Sequence, residues 1–189
     1  MTTPRNPQQN FDNATMLDVV LLEISIELRK KLSWLNNSYT AAQKLQNTQD
    51  SKKINYPAIF TGGTEYLNLL PDGHLGNYSF FRMSDPEEIE YYARNVNKIT
   101  ATFDLILWFN LKKVYPTDTG RNIEHVKSEV LKALREITIT RGTYQLEQIY
   151  KDAKNIFSTY SIDETQEQFM MHPYGALMIR GKLIYKEDC

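Results

Sequence analysis

KITATFDLILWFNLKKV, residues 98–114, decides the fold. Ile99, Ala101, Phe103, Leu105, Leu107, Phe109 and Leu111 occupy every second position, and Thr100, Thr102, Asp104, Ile106, Trp108, Asn110 and Lys112 lie between them. A strand points successive side chains to opposite faces, so this alternation reads as one β-strand with an apolar face. At ~3.3 Å per residue the strand would extend roughly 50 Å, against the usual five or six residues of a strand. The alternate face is unusual because Ile106 and Trp108 interrupt polar residues. An apolar pair exposed to water there is unfavourable, so either another part of the chain or another subunit covers it. Phe80-Phe81-Arg82 raises the same question. Ile106, Trp108, Phe80, Phe81 and Arg82 are therefore the candidate subunit-interface residues.

Outward from this strand, Leu17, Val20, Leu21, Ile24, Leu28, Leu32 and Leu35 recur at three- and four-residue steps, the spacing of an amphipathic helix. Thr15 is the expected N-cap, with Asp18 in the first turn. Ile123, Val126, Val130, Leu134 and Ile137 form a second apolar stripe. Asp85-Pro86-Glu87-Glu88 has the residues of a helix start, which predicts a short helix to about Arg94. Tyr144–Phe157 is read as helical, although its Tyr and Ile residues would also pack in a strand. Polar Gln43–Lys53 reads as loop. Ile54–Phe60 is a strand candidate whose Pro57 implies an edge or a bend. Pro71-Asp72-Gly73 predicts a turn joining the run Glu65–Leu70 to a returning strand, Tyr78–Met83. Ala176–Tyr185 closes the chain as a strand. The expected class is α+β: a mixed or antiparallel sheet with a long central strand and helices packed on one face, a two-layer sandwich. Residues 1–14 are expected to be a flexible tail, and 15–189 a single domain.

Composition narrows the function. With 41% hydrophobic and 24% charged residues, the 189-residue chain can bury a core without staples. A formal net charge of −1 gives no long-range pull toward nucleic acid or an anionic membrane. The one cysteine, Cys189, permits no internal disulfide and follows two acids, a poor setting for a thiolate nucleophile. No apolar run approaches the ~20 residues of a membrane span, and the N-terminus lacks the pattern of a signal peptide, so synthesis in the cytoplasm is expected. His74, His125 and His172 are isolated and lack metal-ligand spacing. Thr61-Gly62-Gly63-Thr64 lacks the Lys-Ser/Thr end of a phosphate loop. No nucleophile elbow is present. The expectation is a protein with no catalytic residues, no metal and no cofactor.

The order of elements resembles that of the tail terminator proteins of long-tailed bacteriophages and of related neck and tail-completion proteins. The resemblance rests on the helix Leu17–Leu35, the strand Ile99–Val114, the helix Ile123–Ile137, and His172-Pro173-Tyr174 leading into Leu177-Met178-Ile179-Arg180. It covers most of residues 15–186 as pattern rather than as matched motif. It implies a structural ring subunit, hexameric in most such rings, that ends the tail tube and joins it to the head. The partners would be other copies of the chain, the tail tube protein and head–tail connector proteins, and the location the virion. The competing readings are a small non-enzymatic binding module and an enzyme whose site assembles only in space.

Overall fold

The computed structural model describes residues 9, 14–49, 51–63, 65–72, 74–93, 96–120, 122–162 and 167–187. In chain order the elements are α1 (Leu17–Lys31), β1 (Asn37–Ala41), β2 (Gln43–Gln49), β3 (Lys52–Gly62), β4 (Glu65–Asn68), β5 (Tyr78–Ala93), β6 (Val96–Asn110), α2 (Leu111–Val114), α3 (Ile123–Glu136), β7 (Gly142–Tyr150), α4 (Ala153–Ile156), a 3-10 turn (Gln168–Met170) and β8 (Tyr174–Lys186). The class is α+β with a mixed sheet. A five-stranded sheet runs β1-β5-β6-β8-β7, and a three-stranded sheet runs β2-β3-β4. β1 is parallel to β5; the other pairs in both sheets are antiparallel.

The long strand is the centre of the large sheet. β6 has 15 residues and lies between β5 and β8. Its alternating face, Ile99 to Phe109, is buried with Val20, Leu21, Ile24 and Leu28 of α1 and Val126, Val130 and Leu134 of α3. Leu111 joins the same core from α2, which takes over from the strand one residue after Asn110. Two periodicities, 2.0 in the strand and 3.6 in the helices, thus meet in one core.

The opposite face is covered as well. Tyr78, Phe80, Ile106, Trp108, Ala176 and Met178 of the sheet are buried against Ile59 of β3, Leu69 and Leu70, Ile156 and Phe157 of the α4 region, and Met170. The expected two-layer sandwich is therefore three layers deep: helices, large sheet, then the small sheet with α4 and the 3-10 turn.

Several local expectations gave way to pairing. Residues 85–93 are not a helix but the far half of β5, which pairs with β6 as far as Ala93–Val96. Pro86 lies where the β5–β6 register shifts between Ser84 and Glu88, a bulge that tolerates its missing N–H. Residues 144–150 are strand β7, with helix only at Ala153–Ile156. The polar stretch from Gln43 is strand β2, in continuous register with β3 from Gln43–Ala58 to Gln49–Lys52. β4 pairs with β3, so residues after Pro71 do not return as its hairpin partner. α1 stops at Lys31; Leu32 and Leu35 stay buried in the turns that follow, and Thr15 is not its cap. The expected tail lies outside the described residues except for Ala14 and for Gln9, whose side-chain oxygen accepts from Thr40 N at 2.9 Å.

Candidate functional site

Four of the five expected interface residues lie inside the chain. Ile106, Phe80 and Phe81 are 0% exposed and Trp108 is 1% exposed. Phe81 packs in the helix-side core, edge-on to Phe103 at 5.6 Å. Trp108 stacks on Tyr174 at 5.1 Å, and its indole N–H donates to the Phe169 carbonyl at 2.9 Å. The assignment of these four to a subunit contact is corrected: the intrachain cover wins. The covering residues come from two distant stretches, Ile59, Leu69 and Leu70 before the strand and Ala153, Ile156, Phe157 and Met170 after it, and no local pattern announces them.

Arg82 is half-buried and serves a different purpose. Arg82, Asp104 and Arg180 are direct cross-strand partners on β5, β6 and β8. Asp104 is buried and accepts from Arg82 Nε at 3.1 Å and Nη2 at 2.7 Å, and from Arg180 Nε at 2.7 Å and Nη2 at 3.0 Å. Burial alone would raise the Asp104 pKa, but the hydrogen bonds and charges of Arg180 and Arg82 overcome it and hold the carboxyl below its ordinary value. A carboxylate committed to two guanidiniums is a poor proton acceptor, so the trio reads as a clamp across three strands rather than as an acid–base pair. Arg82 also donates from Nη1 to Thr159 at 3.2 Å, and the Arg180 guanidinium lies 5.8 Å from the Tyr150 ring.

The helix-side face is covered along β6 and β8 and the second face over its Trp108 end, which leaves the edges of the large sheet as its least covered parts. β1 pairs with β5 only over Tyr78–Phe81, and Ala42 N adds a bond to the Phe81 carbonyl. Beyond Phe81, among the described residues, no strand pairs with the outer side of β5. This free half contains Ile89 and Tyr91, 69% and 67% exposed, both on the helix-side face because Ile89 pairs with the core residue Ile99. The segment SDPEEIEYYA, 84–93, carries Asp85, Glu87, Glu88 and Glu90 and no base. Some of this charge is used locally. Lys98 Nζ bonds Glu90 at 2.8 Å and lowers the Glu90 pKa, and Glu87 accepts from the Tyr185 hydroxyl at 3.0 Å.

β7 is the opposite edge. Among the described residues its only strand partner is β8, and its side chains alternate between half-buried and exposed over Gly142–Leu146. Beside it lies a cleft of about 370 Å³, lined by Leu134, Ile137, Ile139, Tyr144 and Leu146 with Arg135 and Thr138 at its exposed margin. The Tyr144 hydroxyl donates to the Leu134 carbonyl and ties the strand to the end of α3. A second cleft of about 350 Å³ shares Gly142 and Thr143 and includes Lys98, Arg141 and Lys186. The linings of the two clefts include four bases, Arg135, Lys98, Arg141 and Lys186, and acids bond several of the lining residues: Glu90 to Lys98, Glu23 to Thr140 and Glu87 to Tyr185.

These edge residues are the ones that sequence reasoning missed. The signal was present in Glu88-Ile89-Glu90-Tyr91, a period-two run read as the first turns of a helix because of Asp85-Pro86. No group of three or more His, Cys, Asp or Glu that would hold a metal occurs among the described residues. His125 lies against the Tyr115 ring at 4.8 Å and is otherwise exposed. No helix among the described residues is long and apolar enough to cross a membrane. No family model matches the chain, and no curated protein is significantly similar to it.

Proposed function

We propose that the chain is a structural subunit of a head-to-tail homo-oligomeric ring, and that the ring is of the kind that terminates a phage tail tube and joins it to the head. The observation that carries the ring is the distribution of unpaired surface. The helix-side face of β6 and β8 is filled from within the chain, and the opposite face is filled over Tyr78, Phe80, Ile106, Trp108, Ala176 and Met178, while among the described residues no strand pairs with the outer side of β7 or with the outer side of β5 beyond Phe81. Two different edges on opposite sides of one subunit suit a heterologous contact, which closes into a ring when the rotation per subunit allows. An isologous dimer would use one edge twice and leave the other bare. The tail assignment, with tube and head-side connector proteins as partners, rests on the order of elements around β6.

Light scattering on the purified chain, with native mass measurement, tests the ring. A single oligomer of more than two chains is expected, six if the tail-terminator resemblance extends to stoichiometry. A monomer at every concentration would overturn the ring. Electron microscopy of particles carrying the labelled chain tests the rest: label at the head-proximal end of tails is expected, and label elsewhere removes the tail role. The rival reading, a small binding module, would use the apolar cleft beside β7 and predicts a monomer.

A further inference from the structure

We propose, resting on the ring reading, that the free half of β5 in one copy pairs as an added antiparallel strand with β7 of the next, seating Ile89 and Tyr91 in that copy's clefts. Strand direction comes first. β5 runs opposite to β6, β6 to β8, and β8 to β7, so β5 and β7 of one sheet point in opposite directions. A second copy placed beside the first in the same orientation therefore brings its β5 antiparallel to the first copy's β7. Within one chain this contact cannot form, because β6 and β8 intervene and hold the two strands about 14 Å apart.

Height is the second match. Ile89 pairs with Ile99, Ile99 with Tyr185, and Tyr185 with Gly142, so Ile89 and Gly142 stand at the same level on the sheet. A sideways neighbour brings Ile89 to the start of β7, where both clefts open. Facing is the third. Ile89 and Tyr91 are on the helix-side face, and so is Tyr144, whose partner Leu183 belongs to the helix-side core. Continuing the sheet keeps that face in common, which sets Ile89 beside Gly142, at the end of the first cleft nearest Ile139, and Tyr91 two residues beyond, level with Thr140 of the second cleft.

Charge is the fourth and is independent of the strands. The β5 segment carries Asp85, Glu87, Glu88 and Glu90, of which Glu90 bonds Lys98 and Glu87 bonds Tyr185 within the chain, and Arg135 stands at the exposed margin of the first cleft. Opposite charge at the rim steers encounter and sets register, while an anchor buried in a pocket supplies most of the affinity. Added strands of this kind gain main-chain hydrogen bonds along the edge and specificity from alternate side chains.

The test uses the full chain and two double variants at exposed positions. I89S/Y91S removes the anchors. R135E/T138W reverses one rim charge and fills the cleft mouth. Circular dichroism and melting temperature confirm that each is folded. Each variant alone should be monomeric, with association weakened by about 30-fold or more, as for a hot-spot loss. An equimolar mixture should form a dimer, because one intact junction remains between the intact β7 side of the first and the intact β5 side of the second. If both variants still form the wild-type oligomer, the β5–β7 pairing is wrong while the ring reading stands. If the wild-type chain is itself a monomer at every concentration, the ring reading fails and the pairing with it.

Discussion

Trp108 separates a core from an interface by energetics alone. Its side chain is 1% exposed, stacks on Tyr174 at 5.1 Å, lies 5.6 Å from Tyr78 and 6.1 Å from Phe169, and donates to the Phe169 carbonyl at 2.9 Å. Trp108→Ala removes the largest ring of the second core. A buried aromatic-to-alanine change costs about 3–5 kcal/mol, and the lost N–H strands a carbonyl at about 1 kcal/mol more, so about 4–6 kcal/mol is expected. For a domain of this length each kcal/mol lowers Tm by about 2–4 °C, which places the variant about 8–24 °C below wild type. Trp108→Phe keeps a ring in the stack but loses the donor, and should cost only about 1–2 kcal/mol. The assay is thermal and urea unfolding, followed by circular dichroism below the assembly concentration. An unchanged monomer Tm combined with weakened association would refute the core assignment and return Trp108 to the subunit contact.

Two further predictions follow from the sheet itself. Asp104→Asn should destabilise by about 3 kcal/mol, at the low end for a broken buried pair because both guanidiniums reach water. Since the folded Asp104 pKa lies below its unfolded value, the ionised clamp stabilises the fold above an ordinary aspartate pKa of about 4, and that stability is lost as pH falls through the folded value. The Asn variant should accordingly show a flatter acid limb in a plot of stability against pH, and identical limbs would contradict the assignment. Gly181→Ala places a methyl 2.4 Å from the Gln145 carbonyl oxygen and 2.8 Å from Phe103 Cζ. The carbonyl belongs to a paired strand and cannot step aside cheaply, so a loss of about 2–3 kcal/mol and faster amide exchange in β7 are expected; wild-type exchange there would count against it.

The parts of the fold that were legible in the sequence have a common cause. β6 and α1 each bury a complete apolar face, and a face that is entirely buried writes its period into the residues. β7 and the far half of β5 are edges. Their side chains are only partly buried, so the alternation in Thr143-Tyr144-Gln145-Leu146 and Glu88-Ile89-Glu90-Tyr91 is diluted, and local helix signals outweigh it. β2 pairs through Gln, Lys, Asn and Thr and carries hardly any hydrophobic period. The cover over the second face comes from Ile59, Leu69 and Leu70 and from Ile156, Phe157, Phe169, Met170 and Tyr174, contacts of long sequence separation that no window along the chain contains. The candidate site was illegible for the same reason as the edges on which it sits.

The polar face of β6 marks where the chain completes itself and where it does not. Ile106 and Trp108 lie toward one end, under the second layer; Thr100, Thr102 and Asp104 lie toward the other. The boundary is the Arg82–Asp104–Arg180 rung. At the same level β1 ceases to cover β5, since its last register partner is Phe81, opposite Leu105, and the next rung is Arg82 opposite Asp104. Closed edge and apolar second face therefore end together, and the ion rung seals the boundary. Below it β6 and β8 are filled on their helix side, β6 carries Thr on the other, and among the described residues no strand pairs with the outer side of β5. Backbone N–H and C=O groups left in a row invite pairing, and chains defend such edges with charges, prolines and bulges. The β5 edge has all three in Glu88, Glu90, Pro86 and the register shift beside it. A charged, bulged edge with Ile89 and Tyr91 exposed on it disfavours an arbitrary strand, and the proposed pairing requires one whose clefts take these two side chains. β7 has an apolar cleft beside it, with Arg135 at the margin, on the other side of the same sheet.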